Sequence, residues 1–163
     1  MPTQSIFADV MDAIYDKWAA DSTLAAMVTA NTLRIYDGPP FGDRSASREL
    51  RLGCVGDDFE DQAVISQDWA TAGGPASAER DETIDIPCSV WAWYGNNDTR
   101  TTRRSAQDVF NPACTALRGQ TLSLNTVLWI ETAAGEFHQV TTDDGAAVIL
   151  IFTVRVRNRV YNT

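Results

Sequence analysis

Apolar residues recur at helical spacing in two stretches of the chain. In the first stretch, steps of three and four residues connect Phe7, Val10, Met11, Ile14 and Trp18. In the second stretch, the same steps connect Ala106, Val109, Phe110, Ala113 and Leu117. Each pattern places its apolar side chains on one face of an amphipathic helix. We therefore predict two helices, with a further short helical turn at DSTLAAMV.

The ends of the second helix are also marked in the sequence. Asp98 or Thr99, just after the turn GNND, can cap its N-terminus by accepting a backbone N–H. Gly119 is typical of the residue that ends a helix. Pro112 lies inside the predicted helix, where its ring would kink or restart it.

Alternation of apolar and polar residues predicts several strands. RELRLGCVGDD alternates at Leu50, Leu52 and Cys54, which predicts a half-buried strand, and TLRIYDGPP predicts a brief one before it. Alternation resumes in DETIDIPCSVWAWY, where the even-numbered residues 84–92 are apolar. TVLWIET, EFHQVTT and AAVILIFTVRVRNRVY predict three closing strands, joined by tight turns at AAG and DDG.

The order of these elements predicts the fold class. A helix, strands with a long excursion, a second helix and a closing meander indicate an α+β domain. We expect a mainly antiparallel sheet of four to five strands, with two helices packed on one face. The length of 163 residues fits a single domain spanning 1–163, with a long acidic loop at about 57–80.

The negative charge of the chain is concentrated in one segment. The net charge is −9, and residues 57–85 hold nine carboxylates and one arginine, a balance of −8. Such a segment repels nucleic acid phosphates, which excludes DNA binding as the main activity. The carboxylates of the predicted loop, apart from Glu79, are Asp57, Asp58, Glu60, Asp61 and Asp68.

The C-terminal strand carries a row of positive charge. Arg155, Arg157 and Arg159 occupy every second position, so they share the face opposite the apolar residues of that strand. On the strand around residue 90, the face turned the same way carries Asp85, Trp91 and Trp93. Two interpretations stay open: the arginines stack on these indoles or pair with Asp85 within one subunit, or a subunit interface buries the whole face.

No sequence motif supports catalysis or cofactor binding. The phosphate loop, the dinucleotide fingerprint, GxSxG and HExxH do not occur. His138 is the one histidine, and Cys54, Cys88 and Cys114 are too widely spaced for a disulfide framework or a zinc site. We expect buried thiols and neither an enzyme, a cofactor nor a metal. No apolar stretch reaches membrane-spanning length, and a cytoplasmic origin is the default.

Several segments, taken in order, carry a family resemblance across nearly the whole chain. They are LRIYDGPP, LRLGCVGDD, QDWATAG, IDIPCSVWAWYG, TRTTRRSAQDVF and ILIFTVRVRNRV. With the N-terminal helix ending near Trp18, the chain resembles the tail terminator proteins of long-tailed bacteriophages, especially those infecting actinobacteria. The pattern is carried mostly by VGDD, QDWA and PCSVWAWYG. The family has no short invariant site motif, so no binding residue is transferred from it.

The resemblance implies a structural virion protein made in the host cytoplasm. Such a protein forms a homohexameric ring at the head-proximal end of the tail, stops polymerisation of the tail tube protein and joins the head-side connector, while DNA passes through without specific binding. Interface candidates are Arg155, Arg157, Arg159, Trp91, Trp93, Asp85 and Trp69, and the acidic loop would lie at the lumen or the rim. The alternatives are another head–tail connector or completion protein, and a small cytoplasmic enzyme or ligand-binding module.

Overall fold

The computed structural model describes residues 5–42, 44–56, 66–71, 79–120, 122–124 and 126–161. These ranges contain three helices and six strands. The helices are α1 (Phe7–Ala20), α2 (Ser22–Thr29) and α3 (Thr99–Leu117). The strands are β1 (Arg34–Asp37), β2 (Arg48–Leu52), β3 (Ser66–Thr71), β4 (Glu79–Tyr94), β5 (Val127–Thr142) and β6 (Gly145–Tyr161).

The helices begin at side-chain caps where the sequence offers them. Asp98 accepts a hydrogen bond from the Thr101 amide at 3.0 Å, which confirms it as the cap of α3. Asp21 accepts from the amides of Thr23 and Leu24 and starts α2. The predicted short turn is thus a full helix, and the described part of the chain contains three helices rather than two. Pro112 lies inside α3, which continues to its end at Leu117.

The sheet has six described strands rather than the four to five expected, and it is mainly antiparallel, as predicted, with one parallel pair. Its order is β1-β2-β4-β6-β5, and β3 also pairs with β4. Since β6 occupies one side of β4 throughout, β2 and β3 follow one another along the other side, both antiparallel to it. β1 is parallel to β2, because the loop between them crosses back to the same end of the sheet. The sheet is therefore antiparallel apart from this pair.

Two sequence-based expectations about the strands need correction. β3 lies within the range predicted as an acidic loop, at 57–80; residues 57–65 and 72–78 are outside the described residues. β5 is one strand where two were predicted, because AAG forms an irregularity between Ala134 and Phe137 instead of a turn. A Cβ on Gly135 would lie 1.8 Å from the Ile151 carbonyl oxygen, so only glycine fits this approach. The DDG turn between β5 and β6 is confirmed.

One hydrophobic core lies between the helices and one face of the sheet. The even-numbered residues of β4 from Ile84 to Ala92 and those of β6 from Val148 to Val156 are buried there, as predicted. Phe152 lies at its centre, with ring centroids 6.3 Å from Trp18 of α1 and 5.2 Å from Phe110 of α3. We call the opposite side of the sheet, which carries the odd-numbered residues of β4 and β6, the open face.

Candidate interface on the open face of the sheet

The three arginines of β6 lie on the open face, and each is paired with a carboxylate of β4. Arg155 donates from Nε to Oδ1 of Asp85 at 2.6 Å and from Nη2 to Oδ2 at 2.7 Å. Arg157 and Arg159 both donate to Asp81, at nitrogen–oxygen distances of 2.5–3.3 Å. The strand register explains these pairs, since Asp85 stands opposite Arg155 and Asp81 opposite Arg159. Pairing of the row with Asp85 inside one subunit is therefore observed, but only for Arg155.

Asp81 is the most enclosed carboxylate of this row. Its side chain is only 4% exposed, beneath the guanidinium groups of Arg157 and Arg159. The hydrogen bond from Arg159 lowers the pKa of the Asp81 carboxyl most strongly; burial opposes the shift, and Arg157 adds to it. An enclosed carboxylate shared by two arginines stays charged through the neutral range and holds β4 to β6.

Replacing Asp81 with asparagine is expected to reduce the acid sensitivity of the fold. A carboxyl whose folded-state pKa is lowered contributes stability above its unfolded pKa, and this is lost as the pH falls through the folded value. The wild-type chain should lose about 1 kcal/mol from this source below about pH 4, because both arginines are partly exposed. Urea unfolding between pH 3 and 7 measures the difference.

The matched control for this experiment is Asp108→Asn, which removes an exposed carboxylate from α3. As a surface substitution, it should change the free energy of unfolding at pH 7 by no more than about 0.5 kcal/mol. If the free energy of unfolding falls equally with decreasing pH in the wild type and in Asp81→Asn, the ionisation of Asp81 contributes nothing to stability.

Trp91 and Trp93 lie at the other end of the open face from the arginines, whereas Trp129 of β5 stands opposite Arg157. Trp91 stands opposite Ile149 and lies six residues along β4 from Asp85, a separation of roughly 20 Å. The cation that stacks on Trp91 is Arg51 of β2, whose guanidinium carbon lies 4.0 Å from the indole centroid. The guanidinium and indole groups predicted to lie side by side therefore form two separate regions.

Arg51 belongs to a buried ionic cluster that the sequence reading missed. Its Nε donates to Glu49 Oε2 at 2.8 Å, its Nη2 also binds that oxygen, and both side chains are fully buried. Its Nη1 donates to the Gly56 carbonyl at 3.1 Å. Arg44, in the loop before β2, donates from Nε to Glu49 Oε1 at 3.0 Å. The alternation in RELRL predicted solvent on this side of β2, whereas the structure buries both sides.

The chain itself covers the open face beside β2. The Ser89 hydroxyl donates to the Cys54 carbonyl at 2.8 Å, and Trp91 Nε1 donates to that hydroxyl at 3.2 Å. With the bond from Arg51 to Gly56, these contacts fasten the segment 53–56 over the sheet. Trp91 is consequently a packing residue of the subunit. Trp93, at the end of β4 and opposite Ala147, stays half-buried.

The carboxylates of β4 are largely used within the subunit. Asp81 and Asp85 bind arginines, and the buried Glu82 accepts from Ser5 Oγ at 2.6 Å and from Asn158 Nδ2 at 3.2 Å. These three carboxylates of β4 therefore have partners in their own chain.

The other sequence-predicted residues lie in or beside β3. Its backbone places Asp68 opposite Thr83 and Trp69 opposite Glu82, at the same end of the sheet as the arginines. The remaining residues assigned to the acidic loop fall outside the described part of the chain, namely Asp57, Asp58, Glu60 and Asp61.

The histidine and cysteine side chains that the structure describes do not form a common site. His138 is exposed on β5, with Nε2 2.8 Å from Glu136 Oε2. Cys54, Cys88 and Cys114 are buried free thiols, as expected, and burial raises the pKa of Cys88 to about 12. In the described ranges no group of three or more acidic, histidine or cysteine residues could hold a metal. Nor does any helix there have the length and apolar character to cross a membrane.

Comparison with solved structures gives a match along almost the whole chain. No protein-family model and no curated protein matches the chain. Among solved structures, a chain from the structure entitled "Virion of native gene transfer agent (GTA) particle" is similar, with a TM-score of 0.61 and 20% sequence identity. The alignment covers 96% of this chain and 100% of that one. The two chains therefore have the same fold over their whole length.

Proposed function

We propose that this chain is a structural virion protein that forms a ring at the head-proximal end of a tail tube. The ring stops polymerisation of the tube protein and joins the head-side connector. The observation that carries this proposal is the alignment with a chain of a virion particle, which leaves almost no residue of either chain outside it. The resemblance of VGDD, QDWA and PCSVWAWYG to tail terminators supports the more specific assignment.

The electrostatics of the open face fit a surface past which DNA moves without binding. The three arginines of β6 are matched by three carboxylates: Asp81, Asp85 and Glu131, the last of which has an oxygen 3.8 Å from Arg155. This part of the face has no net charge to attract phosphates. Apart from Asp81 and Asp85, which those arginines match, the segment 57–85 has a balance of −6. Six copies would therefore add roughly 36 negative charges to a closed ring, which disfavours DNA adhesion at the lumen or guides docking at the rim.

Loss of this chain from assembling particles is expected to give tail tubes of uncontrolled length. The physical reason is that a tube end without its terminator remains a growing end. Electron microscopy of particles made without the gene, and with it restored on a plasmid, measures the length distribution. The restored gene should return a single length.

The tail lengths also separate this function from its nearest alternative. Tubes of normal length that lack heads would identify a head–tail completion protein instead. Particles that are complete and infectious without the chain would exclude a structural role in head–tail assembly.

A further inference from the structure

The two edges of the sheet differ in kind. Within the described residues, β5 has one neighbour, β6, along its 16 residues, so one row of its backbone N–H and C=O groups faces outward. Among the described strands, the other edge consists of β1 and β3. A long unpaired edge strand templates pairing with another strand unless it is blocked or covered.

The β5 edge has few of the features that block such pairing. It contains no lysine and no proline, and its acidic residues are Glu131 and Glu136. Three of its apolar side chains are exposed: Leu128 (44%), Phe137 (39%) and Val140 (47%). Its one protective feature is local irregularity, after Val127 and at the Gly135 bulge. An edge of this composition is expected to be covered in the assembled protein.

Strand direction permits antiparallel pairing of β5 with either strand of the other edge, since β1 and β3 run the same way. β4 is antiparallel to both β3 and β6, and β6 is antiparallel to β5. β3 and β5 therefore run in opposite directions at opposite edges. A second copy, rotated about an axis parallel to the strands, would present its β3 antiparallel to β5 of the first copy. Antiparallel order would continue across the boundary.

The two strands also lie at the same level of the sheet. Ser66 pairs with Asp85, Asp85 with Arg155, and Arg155 with Glu131, so one line of residues joins β3 to β5. β1 is less suitable because it borders a groove of about 290 Å³ whose other wall is α1 and α2. A strand approaching β1 would meet these helices.

We infer that copies of this chain join by antiparallel pairing of β5 of one copy with β3 of the next. This makes the interface heterologous, with a different edge on each side, which is the kind of contact that closes into a ring. That the ring lies on a tail tube rests on the proposed function, but the contact between copies can be tested with the purified protein alone.

Cysteine cross-linking tests which edges meet. The double variants Glu131→Cys/Ser66→Cys and Glu131→Cys/Asp68→Cys place one thiol on each strand and allow for a register shift of two residues. Oxidation of the concentrated protein with diamide should give a ladder of disulfide-linked multimers on a non-reducing gel. The native cysteines are buried and should not contribute. The matched control is Glu131→Cys/Asp108→Cys, whose second thiol lies on the exposed side of α3.

Amide hydrogen exchange makes the test independent of the register. In the oligomer, both 66–71 and 127–133 should exchange at least tenfold more slowly than in the dilute monomer. Oligomers on native mass spectrometry without this joint protection would overturn edge pairing while leaving the ring intact. A ladder equally strong in the Asp108→Cys control would also overturn it. A protein that stays monomeric at every concentration would contradict pairing of β3 with β5 between copies of the free chain. The proposed function is tested separately, by the length of the tail tubes.

Discussion

Replacing Glu49 with alanine is expected to lower the free energy of unfolding by about 3–5 kcal/mol. The side chain is fully buried, and its carboxylate accepts hydrogen bonds from Nε and Nη2 of the equally buried Arg51. Removing one partner of a buried, hydrogen-bonded ion pair is among the most destabilising of single changes. Urea denaturation followed by circular dichroism measures the loss.

The other partner of the same carboxylate provides the matched control. Arg44 also bonds to Glu49, but its side chain is 41% exposed. Arg44→Ala should therefore lower the free energy of unfolding by no more than about 1 kcal/mol. Equal losses for Glu49→Ala and Arg44→Ala would show that burial does not set the strength of the pair. A double replacement of Glu49 and Arg51 by apolar residues should recover part of the loss, because it removes both charges together.

The buried cluster has a structural consequence beyond stability. Arg51 donates to the Gly56 carbonyl, and Ser89 donates to that of Cys54, so the segment 53–56 is held at a defined place on the open face. An ionic pair buried under this segment positions it more narrowly than apolar packing would, since its hydrogen bonds have direction.

Periodicity predicted most of the fold correctly. The stripes at Val10, Ile14 and Trp18 and along α3 are buried, and the even-numbered residues of β4 and β6 line the core. The strand β3 was not predicted because SQDWAT is polar, and its pairing with β4 is non-local. The joining of EFHQVTT to TVLWIET was missed because AAG resembles a turn in sequence, whereas the close approach of Gly135 to Ile151 exists only in three dimensions.

The candidate interface was predictable in its faces but not in its contacts. Alternation alone placed the three arginines on the side of the sheet away from the helices. It could not align β4 with β6, and that register decides that Asp81 lies between Arg157 and Arg159. Nor could it show that the segment 53–56 folds over Arg51, which makes a charged position interior. A glutamate and an arginine two apart in a strand, as in RELRL, were the available signal for such a pair.

Replacing Phe152 with alanine is expected to lower the free energy of unfolding by about 3–5 kcal/mol. The ring is fully buried and contacts Trp18 and Phe110, so it joins both long helices to the centre of the sheet. Its removal leaves a cavity that this position cannot easily close, because Trp18 is also held by a hydrogen bond from Nε1 to the Ala113 carbonyl at 3.0 Å. Thermal and urea unfolding should show one cooperative transition at lower stability.

Phe137→Ala is the matched control, since it truncates the same residue type on the neighbouring strand where the ring is 39% exposed. It should lower the free energy of unfolding by about 1 kcal/mol or less. Leu128→Ala removes an exposed apolar side chain within the inferred contact at 127–133 and should instead weaken the association between copies, while Phe152→Ala changes association only through loss of folded subunit. These variants test whether the helix-covered face of the sheet stabilises the subunit and the edge strand forms its contacts. Equal stability losses for Phe152→Ala and Phe137→Ala, or an unchanged oligomer in Leu128→Ala, would contradict that separation of roles.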